Sequence, residues 1–173
     1  MTNLNDSSNI TEYKETITDK YVFFWNGIYS QWHAAEIKIG NKIYNCCEQA
    51  MMYKKAIFFN DFKIADEIMK TDHPVEQKKL GRQVKNFNKD EWDQVCFQIV
   101  YEGNYAKFTQ HEDLKQQLLA TQDRIIVEAS PYDRIWGIGL KEDDSRIHNP
   151  ATWRGLNLLG FAITLVKQEL LKQ

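Results

Sequence analysis

The stretch Arg124-Ile-Ile-Val-Glu-Ala-Ser-Pro-Tyr-Asp-Arg-Ile-Trp-Gly-Ile-Gly-Leu140 decides how this chain is read. Its first part, Arg124–Ala129, is a short run of β-branched apolar residues, the pattern of a buried strand. Ser130-Pro131 ends that strand, because proline has no N–H for a ladder. The chain then presents Asp133, and after it Trp136 followed by Gly137 and Gly139. Loops held at a strand end are where proteins place chemistry, and glycine lets a ligand approach the backbone. A carboxylate beside an indole suits a flat, electron-poor group that is stacked and polarised. The same residue types also suit an Asx-turn at Asp133 and a core corner at Trp136.

Outward from this loop the chain is mainly helical. Tyr21-Val-Phe-Phe-Trp25 reads as a strand ended by Asn26-Gly27. Glu36–Ile39 and Lys42–Tyr44 read as a hairpin turning at Gly40-Asn41. Helical composition follows over Cys47 to about Asn60 and again over Asp61–Lys70. Asp72-His73-Pro74 starts a helix through about Val84. Asn88 with Glu91 resembles a capping box for a long helix carrying Trp92, Val95, Cys96, Ile99 and Val100, which Gly103-Asn104 interrupts where the helix packs closely or bends. A further helix covers about Glu112–Ala120, and Asn149-Pro150 leads into a last one, about Arg154–Leu171. Residues 1–20 are polar and aperiodic, a frayed tail. The expectation is one α+β domain over 21–173, mostly helical with a small β-sheet.

At 173 residues the chain can bury a full core as a single domain. Lys+Arg 22 against Asp+Glu 24, net −2, excludes a large sequence-independent nucleic-acid footprint but leaves room for a local basic patch. Without a membrane-length apolar run or a signal peptide, the expected location is cytoplasmic, with no membrane partner. Cys46, Cys47 and Cys96 are odd in number and two are adjacent, so they read as reduced packing thiols. No metal cluster, P-loop, dinucleotide fingerprint or Ser/His/Asp arrangement is present, so no metal or cofactor is expected. Five Trp in so short a chain favour a pocket for something planar.

Within Glu48-Gln-Ala-Met-Met-Tyr-Lys-Lys-Ala56, positions 48, 52, 55 and 59 share one helical face. Glu48 and Lys55 thus lie two turns apart on a stripe with Met52 and Phe59. Either the stripe is interior and its charges have work to do, or it is rotated so that both reach solvent. Arg82 offers a guanidinium suited to phosphate, and Asn157 sits in apolar surroundings where its amide needs a partner.

Taken in order, Glu48-Gln…Lys55, Leu80-Gly-Arg82, Asn88…Trp92, Ala106-Lys-Phe108, Leu118-Leu-Ala-Thr121, Val127-Glu128, Asp133-x-x-Trp136-Gly and Asn157-x-Leu-Gly160-x-x-x-x-x-Val166 resemble the NADAR superfamily of YbiA-like N-glycosidases, over about Tyr21–Leu170. The resemblance implies hydrolysis of an N-glycosidic bond between a phosphorylated ribose and a base. Its members' substrates are phosphoribosylaminouracil intermediates of riboflavin synthesis or ADP-ribosylated guanine in nucleic acid. The family's functional positions fall on Glu48, Trp92, Asp133 and Trp136. The chain departs from the YbiA pattern at Trp136-Gly-Ile-Gly-Leu140, where that pattern has a second acid, and in a fuller Asn149–Gly155 segment.

The chemistry fits these residue types. Breaking a ribosyl C–N bond builds positive charge at the anomeric carbon, which a fixed carboxylate stabilises, while a second carboxyl activates water or protonates the base. Glu48 and Asp133 are the expected catalytic pair, with Glu128 a weaker candidate. Trp92 and Trp136 are expected to stack the base, Arg82 and Lys55 to meet phosphate, and Gly137 and Asn157 to line the substrate site. A desolvated Lys55 also allows a Schiff base on the opened ribose. Net charge favours the small phosphoribosyl substrate over modified nucleic acid, for which Lys78, Lys79, Arg82 and Lys85 are a candidate patch. A non-catalytic ADP-ribose or nucleotide reader is the competing class.

Overall fold

The strand anticipated at Arg124–Ala129 forms in the computed structural model, which describes residues 15–172. Ile125–Glu128 (β5) pairs in parallel with Tyr21–Phe24 (β2), in a register running from Tyr21↔Ile125 to Phe24↔Glu128. Thr16–Ile17 (β1) adds an antiparallel strand on the other edge of β2. The expected tail is therefore corrected at its end: Thr16 and Ile17 pair with Phe23 and Val22, because the exposed edge of β2 offers them a ladder. Residues before 15 lie outside the described residues.

Both faces of the small sheet are covered, which is why β2 and β5 read as unbroken apolar runs. Val22, Phe24 and Ile126 face the main helical core, with Leu159, Ala162 and Ile163. Phe23, Val127 and Ala129 face the other way, onto Ile138, Leu140 and Ile147. Parallel neighbours need a long crossover, and five helices fill this one. They are α1 (Cys47–Phe58), α2 (Phe62–Met69), α3 (Pro74–Gly81), α4 (Lys89–Gln110) and α5 (Glu112–Leu119). The crossover opens with the anticipated hairpin, Ile37–Ile39 (β3) and Lys42–Tyr44 (β4), around Gly40 at φ +62°.

Local chemistry explains the helix ends. The Asn88 side chain accepts from Asp90 N and Glu91 N and donates to Glu91 Oε1, the reciprocal cap anticipated for α4. Asp61 caps α2 through Ile64 N, and Pro74 opens α3. Gly103-Asn104 does not interrupt α4, which runs through it. Gly103 lies against Cys47 where α4 meets α1, so the small residue marks a helix contact rather than a break. Helix α3 stops at Gly81, before the expected Val84.

The last helix, α6 (Leu158–Leu170), begins four residues later than anticipated. Segment 154–159 instead lashes the Asp-Trp loop. Arg154, Leu156, Asn157, Leu158 and Leu159 donate backbone N–H bonds to Ile138, Arg134, Gly137, Ile135 and Trp136. Asn157 adopts a left-handed conformation, φ 54°, to turn from this ladder into α6. Gly160 then lets α6 touch β5, since a Cβ there would lie 2.1 Å from Ile126 O. No helix among the described residues is long and apolar enough to cross a membrane. The three cysteines are buried and free.

Candidate active site

Glu48 stands in the first turn of α1, and its backbone N–H donates to Gln31 O at 3.0 Å. The interior reading of the α1 stripe is the one the structure adopts: Glu48, Met52 and Phe59 are buried. A helix N-terminus favours an ionised carboxylate, yet burial outweighs it and pushes Glu48 up to about 7. Lys78 of α3 and Arg82 just beyond α3 pull the other way, as does the nearby Trp32 side chain, while Asp133 adds to the rise.

Glu128 is the last residue of β5. Burial, then repulsion from Asp133, raises its carboxyl to about 8, with Glu48 adding further and Lys78 opposing. The residue as a whole keeps partial exposure, but Oε2 is fully buried and has no hydrogen-bond partner among the described residues. A buried acid oxygen without a partner is costly unless it carries a proton or meets a ligand. Gln at 128 in place of Glu would keep the shape without the charge.

Asp133 follows at the loop's turn. Its Oδ1 accepts from Ile135 N at 2.9 Å and Trp136 N at 2.8 Å. The Asx-turn that these residue types suit is therefore formed, and it fixes Oδ1 of the carboxylate. Asp133 is close enough to Glu48 of α1 and to Glu128 of β5 to raise the proton affinity of both, and Glu48 adds to that of Glu128. Among the described residues, no group of three or more His, Cys, Asp or Glu is arranged to hold a metal ion.

Lys55, one helical turn beyond Met52, is half-buried. Its Nζ donates to Gly81 O at 2.8 Å and lies 4.3 Å from the Phe87 ring centroid. Burial, then the nearby Arg82 charge, lowers its affinity for a proton, against the pull of Glu48. Trp92 lies deeper. It is buried against Phe59, with Lys55 Nζ 5.8 Å from its ring. Trp136 is partly buried and packs on the main core.

Asn157 and Gly137 act on the site through the backbone. Asn157 is wholly buried; its Oδ1 accepts from Glu128 N at 2.9 Å and its Nδ2 donates to Ile126 O at 3.1 Å. A Cβ at Gly137 would stand 2.9 Å from Glu128 O and 3.1 Å from Asp133 O, so only glycine lets the loop fold back onto the strand. Both hold Glu128 and Asp133 in place.

Trp32 was not among the expected site residues, and Lys78 was expected only in a basic patch for modified nucleic acid. Trp32 keeps 42% of its surface exposed, and Lys78 Nζ lies 5.8 Å from its ring. Ser30-Gln-Trp-His33 has no periodicity to mark it. The available signal is an indole in a polar loop before the Glu48 helix.

The NADAR domain family model matches residues 17–171. The chain is 41% identical to the N-glycosidase R617 of Acanthamoeba polyphaga mimivirus, over 88% of this chain and 97% of that one. It is 28% identical to the N-glycosidase YbiA of Escherichia coli K12, over 83% of this chain and 81% of YbiA. The solution structure of E. coli YbiA superposes with a TM-score of 0.74 at 26% identity, covering 93% of this chain and 90% of that one.

Proposed function

Because this chain belongs to the NADAR domain family, we propose that it hydrolyses the N-glycosyl bond between a phosphorylated ribose and a base. The observation that carries the chemistry is the convergence of Glu48, Glu128 and Asp133 in different environments, beside the cations Lys78 and Arg82. Carboxyls whose surroundings hold them near neutrality divide acid and base roles at the pH of the cell.

The C1–N bond breaks with its electron pair going to the base nitrogen, which takes a proton. Positive charge develops at C1, and the fixed Asp133 carboxylate stabilises it. Glu128, held near 8, keeps its proton at neutral pH and donates to the leaving base. Glu48, near 7, has a substantial ionised fraction and accepts the proton of the water that adds to C1. Lys78 and Arg82 meet the substrate phosphate.

The favoured substrate is a small phosphoribosyl compound of the aminouracil type, since net charge −2 supplies no long-range pull on a polyanion. ADP-ribosylguanine in nucleic acid is the alternative. Both substrates assayed side by side decide the order: base release from the phosphoribosylaminouracil alone supports it, and release only from the modified oligonucleotide reverses it. Saturable binding of both without release makes the protein a reader instead.

The setting of Lys55 favours a second route. A half-buried amine with weakened proton affinity is poised to attack the aldehyde of an opened ribose, losing water to form an imine. Borohydride added during turnover traps that imine as a mass increment on Lys55; an unmodified Lys55 leaves the carboxylate route.

A further inference from the structure

Lys107 of α4 is wholly buried, and among the described residues no carboxylate pairs with it. Its Nζ donates to Ile28 O at 2.8 Å and Ser30 O at 3.1 Å. One turn away, Asn104 Nδ2 donates to Gln31 Oε1 at 2.8 Å. A buried ammonium is expensive to keep, and here its hydrogen bonds go to the short segment 28–32. That segment reaches Glu48 twice: Gln31 O accepts the Glu48 backbone N–H at 3.0 Å, and the Trp32 side chain lies near enough to the Glu48 carboxyl to favour its ionised form. Trp32 N is itself held by Ser30 Oγ at 3.1 Å.

Of the tryptophans at or near the carboxyls, Trp32 is the one with an open ring. Its exposure is 42%, against 8% for Trp92, and Trp136 is packed on the core. An indole has a single N–H to donate, and Lys78 Nζ, 5.8 Å from the Trp32 ring centroid, leaves the rest of the exposed ring to stack.

We propose that Trp32 is the wall on which the substrate's base stacks beside Glu48, and that Lys107 and Asn104 are positioning residues that hold this wall. The proposal rests on the ribosyl-base hydrolase reading and names the group that binds the base. Indole N–H and indole face do separate work: the first orients Glu48, the second takes the flat ring.

The test uses the full chain with Trp32→Ala, Trp32→Phe, Lys107→Met and Asn104→Leu. Trp32→Ala raises KM about five- to 150-fold, the scale for losing one stacked base. Trp32→Phe restores KM to within about threefold but keeps a displaced acid limb in the pH–rate profile, since phenylalanine has no N–H. Lys107→Met, in its folded fraction, reproduces the KM defect, and combining it with Trp32→Ala adds nothing, the mark of one shared interaction. Where Lys107→Met does not fold, Asn104→Leu takes its place in the same cycle. Wild-type KM in Trp32→Ala, or fully additive effects, overturns the proposal. Calorimetry with guanosine monophosphate, as a base–ribose–phosphate probe, separates it from the activity reading. A wild-type protein that releases no base from any substrate defeats the hydrolase reading. Weaker probe binding by Trp32→Ala but not by Trp32→Phe then still supports the wall, and equal binding by all three overturns it.

Discussion

At the scale of single residues, two carboxyls carry the pH behaviour. Glu128, about 8 when folded, ionises near 4.5 when unfolded. Between those values the folded state holds a proton the unfolded state has lost, so stability is fully present below about 4.5 and falls as pH rises towards 8. Glu48 acts in the same direction up to about 7. Glu128→Gln therefore raises Tm relative to wild type by more at pH 8.5 than at pH 5, and an equal difference at both contradicts the buried-acid assignment. The same groups give kcat/KM a bell shape, rising through about 7 as Glu48 ionises and falling through about 8 as Glu128 does. In Glu128→Gln the alkaline limb disappears while the acid limb stays. Trp136 is a different case, because it packs on the core. If packing is its whole role, Trp136→Ala loses about 3–5 kcal/mol of stability, and the folded remainder keeps its specific activity. Low activity per folded molecule, partly restored by Trp136→Phe, places it against the substrate.

At the scale of elements, the site depends on how β5 is pinned. Asn157 binds the strand at Ile126 O and Glu128 N. Asn157→Ala leaves both groups buried and unpaired, at about 1–3 kcal/mol each. Its unfolding midpoint should drop accordingly, by denaturant titration, and its folded fraction should show a displaced alkaline limb as Glu128 loosens. An unchanged profile makes Asn157 a stability residue alone. This amide was legible as one needing a partner, but its place was not: it reads as interior to a helix, whereas it turns the chain at φ 54° before α6 starts. The ladder from 154–159 to the Asp-Trp loop consists of backbone bonds, and these leave no mark in side-chain periodicity. Glu48 and Asp133 were legible because a carboxylate on an apolar helical stripe and another before a tryptophan break the local pattern. Trp32 was not, because what makes it matter is Lys107 holding its loop from more than seventy residues away.

At the scale of the molecule, the two parallel strands β2 and β5 bring the ends of a long crossover together. Phe24 faces Glu128 in register, while α1 and α3 inside the crossover deliver Glu48 and Lys78 to the same place. The helical content and the hairpin were visible as periodicity and as Gly40-Asn41, but a parallel pairing across the whole crossover has no local signature. The site is thus a property of the assembled fold, and its three acids belong to segments that meet only when the chain is folded. Base release from phosphoribosylaminouracil and from ADP-ribosylguanine oligonucleotide, measured for wild type, Glu48→Gln and Asp133→Asn and normalised to folded protein by circular dichroism, tests this most directly. The account predicts losses of about two to four orders of magnitude in each variant with the fold intact; near-normal turnover in both contradicts it.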